Sequence, residues 1–280
     1  MNVKSPAKLS IDNWLKRAVQ SLNNVGIESS KLDAELILSS IFNKNRSYLH
    51  AHGDYELSKN ELKKVNKMLK KRLQRYPLAY ISGKKEFYGR DFIVNKNVLI
   101  PRPESEGIID TLKRKTESLT NKNLKIIDVG CGSGCLGITA KLEIPQAQVL
   151  LIDNSKKAIK IAKQNALNLK SKVEFVHSNL LSKQKSNSIN IVIANLPYLD
   201  KNWPRSLETQ YEPHEALFAK DKGTNLIKKL IKQSFDVIKQ NGYLILEFEP
   251  AQLPMIIEYA KHIGFNYVES IDYITVFTKN

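Results

Sequence analysis

Apolar residues recur at helical spacing over the first third of the chain and then give way to short, dense apolar runs. Trp14, Leu15, Ala18, Val19 and Leu22 fall on one helix face. Ser10 ahead of them suits an N-cap and Gly26 after them a stop. Leu32, Leu36, Ile37 and Ile41 repeat the pattern in a second helix. Ser58-Lys59-Asn60-Glu61 has the form of a capping box ahead of Leu62, Val65, Leu69 and Leu73, and Pro77 closes that run. Residues 1–78 therefore read as a small helical bundle. From Ile81 to Ile100 aromatic and β-branched residues gather around Gly83, Gly89 and Asn95-Lys96-Asn97, which predicts a hairpin-like linker over 79–100.

Beyond residue 101 short apolar runs alternate with helical stretches. Strands are expected at Lys125–Val129, Val149–Asp153, Val173–His177, Ile189–Ala194, Tyr243–Phe248 and within Tyr267–Thr278, with helices notably over 155–169 and 224–240. This alternation predicts an α/β unit over 101–280, a mostly parallel sheet covered by helices whose ligands sit at the carboxyl ends of the strands. No internal repeat or low-complexity tract interrupts it.

Composition narrows the picture modestly. The 280 residues suffice for one large unit plus a small one. The net charge is +16, and through Arg90 18 basic residues stand against 8 acidic ones. Such a balance suits contact with nucleic acid or an acidic partner, and equally a solvated lysine surface. The lysines at 63, 64, 67, 70 and 71 fall mostly off the apolar face, as the second reading requires. The two cysteines, Cys131 and Cys135, match neither a disulfide framework nor a zinc pattern, so they read as small reduced fillers and no metal is expected. Met1–Pro6 has no signal-peptide core and no later run has the length of a membrane span, so the expected location is cytoplasmic.

Two segments carry chemistry. Asp128-Val129-Gly130-Cys131-Gly132-Ser133-Gly134 follows an apolar run and sets bare backbone at a strand-to-helix turn, where a bulky ligand can approach. With Gly137 it also satisfies G-x-G-x-x-G, so a nicotinamide or flavin dinucleotide has to be weighed, although a lone match is weak. Asp128, in the strand just before the glycines, can orient the ammonium of S-adenosylmethionine directly or through water. Asp153, ending the next strand, can accept hydrogens from both ribose hydroxyls; it can also cap the following helix. Asn179, after the third strand, can bond the adenine amino group or serve as a turn residue.

The second segment, Asn195-Leu196-Pro197-Tyr198, sets a side-chain amide, a rigid proline and an aromatic face at another strand end. An amide or aromatic amine is a poor nucleophile because its lone pair is delocalised, so a methyltransferase must favour a more tetrahedral nitrogen aligned with the donor's S–CH3 bond. Asn195 can accept one N–H through Oδ1, the Leu196 carbonyl the other, and Tyr198 can stack on the planar group. A strong base is not demanded, because positioning and electrostatics supply most of the effect. The alternative is a strand-ending turn without chemistry.

Several further segments carry a resemblance: Pro77-Leu78-Ala79-Tyr80-Ile81 with Gly83, Glu86-Phe87-Tyr88-Gly89, Val98-Leu99-Ile100-Pro101-Arg102-Pro103-Glu104, Tyr211-Glu212-Pro213 with Ala216-Leu217, and the strand from Gly242 to Glu247. With the glycine loop they make nearly the whole chain similar to the protein-(glutamine-N5) methyltransferases that modify peptide chain release factors in translation termination. The resemblance implies a class I S-adenosylmethionine-dependent methyltransferase, Rossmann-like with a mostly parallel seven-stranded sheet, behind a helical domain that docks the factor. It implies as substrate the glutamine of a Gly-Gly-Gln loop. The donor-binding candidates are Asp128, Gly130, Cys131, Gly132, Gly134, Asp153, Asn154, Asn179 and Asn195; the catalytic candidates are Asn195, Leu196, Pro197 and Tyr198.

The chain departs from that family at four places: Leu196 replaces a proline, Asn179 an aspartate, Glu249-Pro250 a glycine, and an arginine-containing segment is missing around Asp272–Thr275. Two other readings stay open. One is adenine-N6 methylation of RNA, since Asn-Leu-Pro-Tyr is similar to the motif of ribosomal RNA adenine dimethyltransferases and the basic N-terminal third suits phosphates. The other is a catalytically weak donor-binding partner of release factors.

Overall fold

The computed structural model describes residues 9–117 and 123–280. Met1–Pro6, expected to lack a signal-peptide core, lies outside them. No helix among the described residues is long and apolar enough to cross a membrane. The chain divides into two compact units, one running to Gly83 and including Ser206–Tyr211, the other comprising Lys84–Arg205 and Glu212–Asn280.

In the first unit, α1 (Ile11–Asn24) starts at Ser10, whose hydroxyl accepts the Asn13 amide, and α2 (Ser30–Phe42) follows. A short α3 (Arg46–Ala51), capped by Asn45 Oδ1 on the Tyr48 amide at 2.9 Å, is an element the apolar spacing does not reveal. Helix α4 (Lys59–Leu73) begins with the expected capping box, Ser58 and Glu61 each bonding the other's backbone amide. Helix α5 (Leu78–Ser82) occupies the start of the region read as hairpin, because Pro77 fixes a helix entry and Gly83 a left-handed exit. Trp14, Leu22, Ile37, Leu38 and Val65 form the core, and Lys63, Lys64, Lys67, Lys70 and Lys71 are exposed. Inside it, Arg72 Nε donates to Asp33 Oδ2 at 2.6 Å and Arg72 Nη1 to Glu208 Oε1 at 3.0 Å.

The second unit opens with a hairpin, β1 (Lys84–Phe87) and β2 (Arg90–Ile93), whose Phe87 and Phe92 belong to the core of this unit rather than to a free linker. Helix α6 (Glu106–Glu117) leads into β3 (Lys125–Val129), α7 (Cys135–Glu143), β4 (Gln148–Asp153), α8 (Lys156–Asn168), β5 (Glu174–His177) and β6 (Ile189–Asn195). Then come α9 (His214–Leu217), α10 (Asn225–Val237), β7 (Ile238–Glu247), α11 (Leu253–Ile263), β8 (Asn266–Ile271) and β9 (Ile274–Lys279). Helix α10 ends earlier than expected because Ile238 already pairs with Ile189. The last apolar run is two strands turning at Asp272, whose φ is +51.

Among the described residues seven of the nine strands form one sheet, in the order β5-β4-β3-β6-β7-β9-β8. The first five are parallel, and β9 runs against both neighbours. Two apolar clusters fill the faces, one around Ile126, Leu151 and Ile193, the other around Ile127, Val192 and Leu244. Chain direction across the sheet reverses between β3 and β6, the position where α/β sheets open a crevice.

Replacing Arg72 by alanine should leave Asp33, 4% exposed, as an uncompensated buried charge. We expect Arg72→Ala to lower the stability of the helical unit by about 3–5 kcal/mol. Urea unfolding followed by Trp14 fluorescence in a Trp203→Phe background measures it.

Candidate active site

Between Val129 and Cys135 the backbone must turn from strand to helix, and Gly130, Gly132 and Gly134 do so with φ of +74, +54 and +83. The Gly130 and Cys131 amides donate to the Ile152 carbonyl at 2.8 and 3.0 Å, fixing the loop to the end of β4. A side chain on Gly130 would begin 2.8 Å from Leu196 Cδ2. On Gly134 it would begin 2.8 Å from Ile138 Cδ1 and 3.1 Å from Ala162 Cβ, so that glycine permits close packing of α7. At Gly132 the nearest atom is 3.9 Å away, leaving open space over the backbone.

A cavity opens at the carboxyl ends of β3 to β6, lined by Gly130, Gly132, Asp153, Asn154, Asn179, Asn195, Leu196 and Pro197. Four other candidates lie outside this lining: Asp128, Cys131, Gly134 and Tyr198. Cys131 is buried, and burial pushes its thiol well above the usual range, so it stays protonated. Asp128 is fully buried one residue back along β3. Its Oδ2 accepts the Gly137 amide at 2.8 Å, while Oδ1 has no hydrogen-bond partner among the described residues. Burial pushes its pKa up to about 7, against the pull of the Gly137 amide and with a further push from Asp153.

Asp153 ends β4 with Oδ2 accepting the Gly132 amide at 2.9 Å and Oδ1 the Ser155 amide at 2.7 Å. Burial raises its pKa, and those amides oppose the rise. The N-cap of α8 is Ser155, whose hydroxyl accepts the Ala158 amide, so Asp153 is not the helix cap. Each Asp153 oxygen retains a second lone pair for a ligand hydroxyl.

Asn195 ends β6 directly opposite Glu247, which ends β7. Asn195 Nδ2 donates to Ser105 Oγ at 2.8 Å. Ser105 closes the Pro103–Ser105 turn, and Glu212 fastens the segment before it: Oε2 accepts the Ile100 amide at 3.0 Å and Oε1 accepts from Arg102 Nη2 at 2.5 Å. Tyr198 donates its hydroxyl to Glu247 Oε1 at 3.2 Å, and its carbonyl accepts from Gln252 Nε2 at 3.0 Å. Gly223 approaches that carbonyl too closely for any Cβ. Glu247 is 1% exposed, and burial pushes its pKa up to about 7 against the pull of the nearby Ser105 hydroxyl and the Tyr198 hydrogen bond. Its Oε2 has no hydrogen-bond partner among the described residues.

Sequence reading does not single out Ser105, Glu247, Gln252 or Gly223. The signal for Glu247 is an ionisable residue directly after Leu244-Ile245-Leu246, at the carboxyl end of a buried strand. Among the departures, Glu249 sits at φ −62, where glycine has no advantage, and Pro250 opens the turn that presents Gln252.

S-adenosylmethionine fits the residues present. The orphaned Asp128 Oδ1 suits its ammonium, the bare Gly132 backbone gives room for its body, and Asp153 is held ready for ribose hydroxyls.

Two family models match the chain, the PrmC N-terminal domain over residues 13–83 and the methyltransferase small domain over residues 105–210. A release factor glutamine methyltransferase of Koribacter versatilis is 34% identical over 234 residues, which are 82% of this chain and 83% of that protein. A bifunctional methyltransferase of Rickettsia typhi is 34% identical over 286 residues, 95% of this chain and 54% of that protein. The chain thus spans about half the length of the rickettsial relatives it matches. A methyltransferase of Pyrococcus furiosus shares the fold at a TM-score of 0.52 and 16% identity, over 70% of this chain and 92% of that one. The sheet unit has the class I methyltransferase fold.

Because burial raises the Asp128 pKa to about 7, the carboxyl carries a proton at lower pH; this favours the folded protein there, a contribution lost as pH rises toward about 7, and the same proton must leave before an ammonium can pair with the group. A bound ammonium favours the ionised form. Donor affinity should therefore rise as pH is brought up toward about 7, by up to about tenfold per unit. Titration calorimetry should find Asp128→Asn weaker and nearly flat over the same window.

Proposed function

The chain belongs to the release factor glutamine methyltransferase family, and on that premise we propose that it methylates the side-chain amide nitrogen of the glutamine in a release factor's Gly-Gly-Gln loop. The observation that carries the reading is that Asn195 and Leu196 line the same cavity as Gly130, Gly132 and Asp153. An amide-binding group and a donor-binding loop share one space, as direct transfer between two bound groups requires.

The donor, when bound, supplies a methyl group on a sulfonium centre. On the donor side Asp128 takes the ammonium, Asp153 the ribose hydroxyls and Asn179 the adenine edge, while Gly130, Cys131, Gly132, Gly134 and Asn154 shape the loop and its rim. On the acceptor side Asn195 Oδ1 and the Leu196 carbonyl accept the two N–H bonds of the glutamine amide. Accepting both draws electron density onto the nitrogen and turns its lone pair out of conjugation, toward the methyl. Pro197 stiffens the turn, and the Tyr198 ring stacks on the amide plane while its hydroxyl remains on Glu247. The nitrogen loses its proton after the methyl arrives, so no strong base is needed, and the effect comes from alignment and fixed dipoles. The helical unit, which matches the PrmC N-terminal domain, docks the factor in this reading, as the family resemblance implies.

A tritiated-methyl transfer assay tests this with intact release factor, a Gly-Gly-Gln→Gly-Gly-Ala factor and bulk ribosomal RNA. Label is expected on the intact factor alone; label on RNA, or none with donor bound, contradicts the proposal. In the same assay Asn195→Ala should keep donor affinity nearly unchanged and lower turnover by about a hundredfold or more, close to 3 kcal/mol of transition-state binding.

A further inference from the structure

In the transfer just described Ser105 has no part and Glu247 only holds the Tyr198 hydroxyl, yet both are buried beside Asn195. We propose that Ser105, backed by Glu247, sets the rotation of the Asn195 amide and so makes the acceptor site choose a glutamine amide over a glutamate carboxylate. The inference rests on the reading of the site as a glutamine acceptor.

A side-chain amide has nearly the same shape when turned by half a revolution, but the turn exchanges its acceptor for its two donors. What decides the rotation is the set of neighbours. Ser105 Oγ lies 2.8 Å from Asn195 Nδ2 and accepts one of its hydrogens. A serine hydroxyl alone could donate to a turned amide equally well. Glu247 limits that freedom: it stands directly opposite Asn195 in the β6–β7 pairing, buried, and with the Tyr198 hydroxyl already on Oε1 it sets carboxylate oxygen and no N–H beside the amide. The Tyr198 hydroxyl on Oε1 holds the carboxylate in place. With the Ser105 oxygen accepting from Nδ2 and a buried carboxylate opposite on the next strand, a turned amide would set Oδ1 against oxygen lone pairs. Oδ1 is therefore the atom left for the substrate.

A site that presents only Asn195 Oδ1 and a carbonyl to its ligand receives N–H donors. A glutamine amide brings two of them, whereas a glutamate carboxylate brings none and meets acceptors on each side. Discrimination of this kind, by unpaired buried polar groups, is strong. The Pro-Arg-Pro-Glu segment gains a role as well, since Glu212 fastens Ile100 and Arg102, and the following turn delivers Ser105 to Asn195.

The test compares the native chain with Ser105→Ala, Ser105→Thr and Glu247→Gln in methyl transfer to release factor, with a Gly-Gly-Gln→Gly-Gly-Glu factor as competitor. Ser105→Ala should keep donor affinity and lose turnover by about a hundredfold, the loss that misplacing an aligned group produces. The Gly-Gly-Glu factor, a poor inhibitor of the native chain, should inhibit Ser105→Ala about tenfold better, because a turned Asn195 offers it donors. Ser105→Thr, which keeps the hydroxyl, should restore both properties. Glu247→Gln should shift both in the same direction as Ser105→Ala, and it decides the matter if Ser105→Ala does not fold. Merely structural damage would weaken the inhibitor along with the substrate, so lost turnover without the gain in inhibition overturns the proposal, as does native turnover in Ser105→Ala. If the native chain itself fails to label the Gly-Gly-Gln factor, the functional reading falls and this inference with it.

Discussion

Val129 stands opposite Ala194 in the β3–β6 ladder, and the site depends on that register. The two strands are distant in sequence, and each ends in a segment that touches ligand space. Parallel pairing makes both segments leave the sheet at the same edge, and the sheet changes direction between them, so a crevice opens there. A slip of one residue would turn Asp128 to the opposite face and carry Asn195 away from the glycine loop. Contact between the two segments fixes them further, because the Leu196 side chain occupies the place a Gly130 side chain would need. Bare backbone at Gly130 therefore serves the acceptor turn as much as any donor.

Two carboxylates share the consequences of this arrangement. Asp128 and Glu247 end up in the interior near the carboxyl ends of β3 and β7, each with one oxygen lacking a hydrogen-bond partner among the described residues, and burial raises both pKa values to about 7. Unpaired buried oxygens lower stability. Carboxyl groups held in this way ordinarily gather where ligands bring donors or charge. In the functional reading Asp128 faces a cation brought by the donor, whereas Glu247 remains inside the protein, opposite Asn195 in the β6–β7 pairing. Tyr198 belongs to the same network through its hydroxyl and is locked at its carbonyl by Gln252, so the aromatic face has little freedom to move.

The strands ending in Asp128-Val129 and Asn195 were legible because β-branched runs bounded by glycine or proline have few other interpretations. The capping box at Ser58 was legible because it is a local, four-residue signal. Helices α3 and α5 were not, since five or six residues are too few for a periodicity, leaving only the Asn45 cap and Pro77 as marks. The hairpin was found, but its phenylalanines do not behave as a linker, because Phe87 and Phe92 pack into the sheet unit's core. Ser105 and Glu247 stayed hidden for a different reason. Their relation to Asn195 comes from strand pairing and a turn held by Glu212, and no spacing along the chain encodes either.

The departures from the family pattern separate by the part of the residue that matters. At the position of Leu196 the proposed acceptor is a main-chain carbonyl, which any residue supplies, and the leucine side chain is absorbed by packing on Gly130. At Glu249 the backbone is in a region open to every residue, so losing a glycine there costs no conformational strain, and Pro250 still leads the chain to Gln252. Asn179 differs in kind, because it lines the cavity and any contact with a donor's adenine would be made by its side chain. An amide in place of a carboxylate keeps an acceptor for the adenine amino group and removes a charge from a region that already holds Asp128 and Asp153, each of which burial makes harder to ionise. In the proposed site the exchange would weaken one hydrogen bond while adding no further negative charge to the cavity that Asp153 lines. On this reading a departure matters least where the chain acts through its backbone and most where, as at Asn179, the side chain itself lines the cavity.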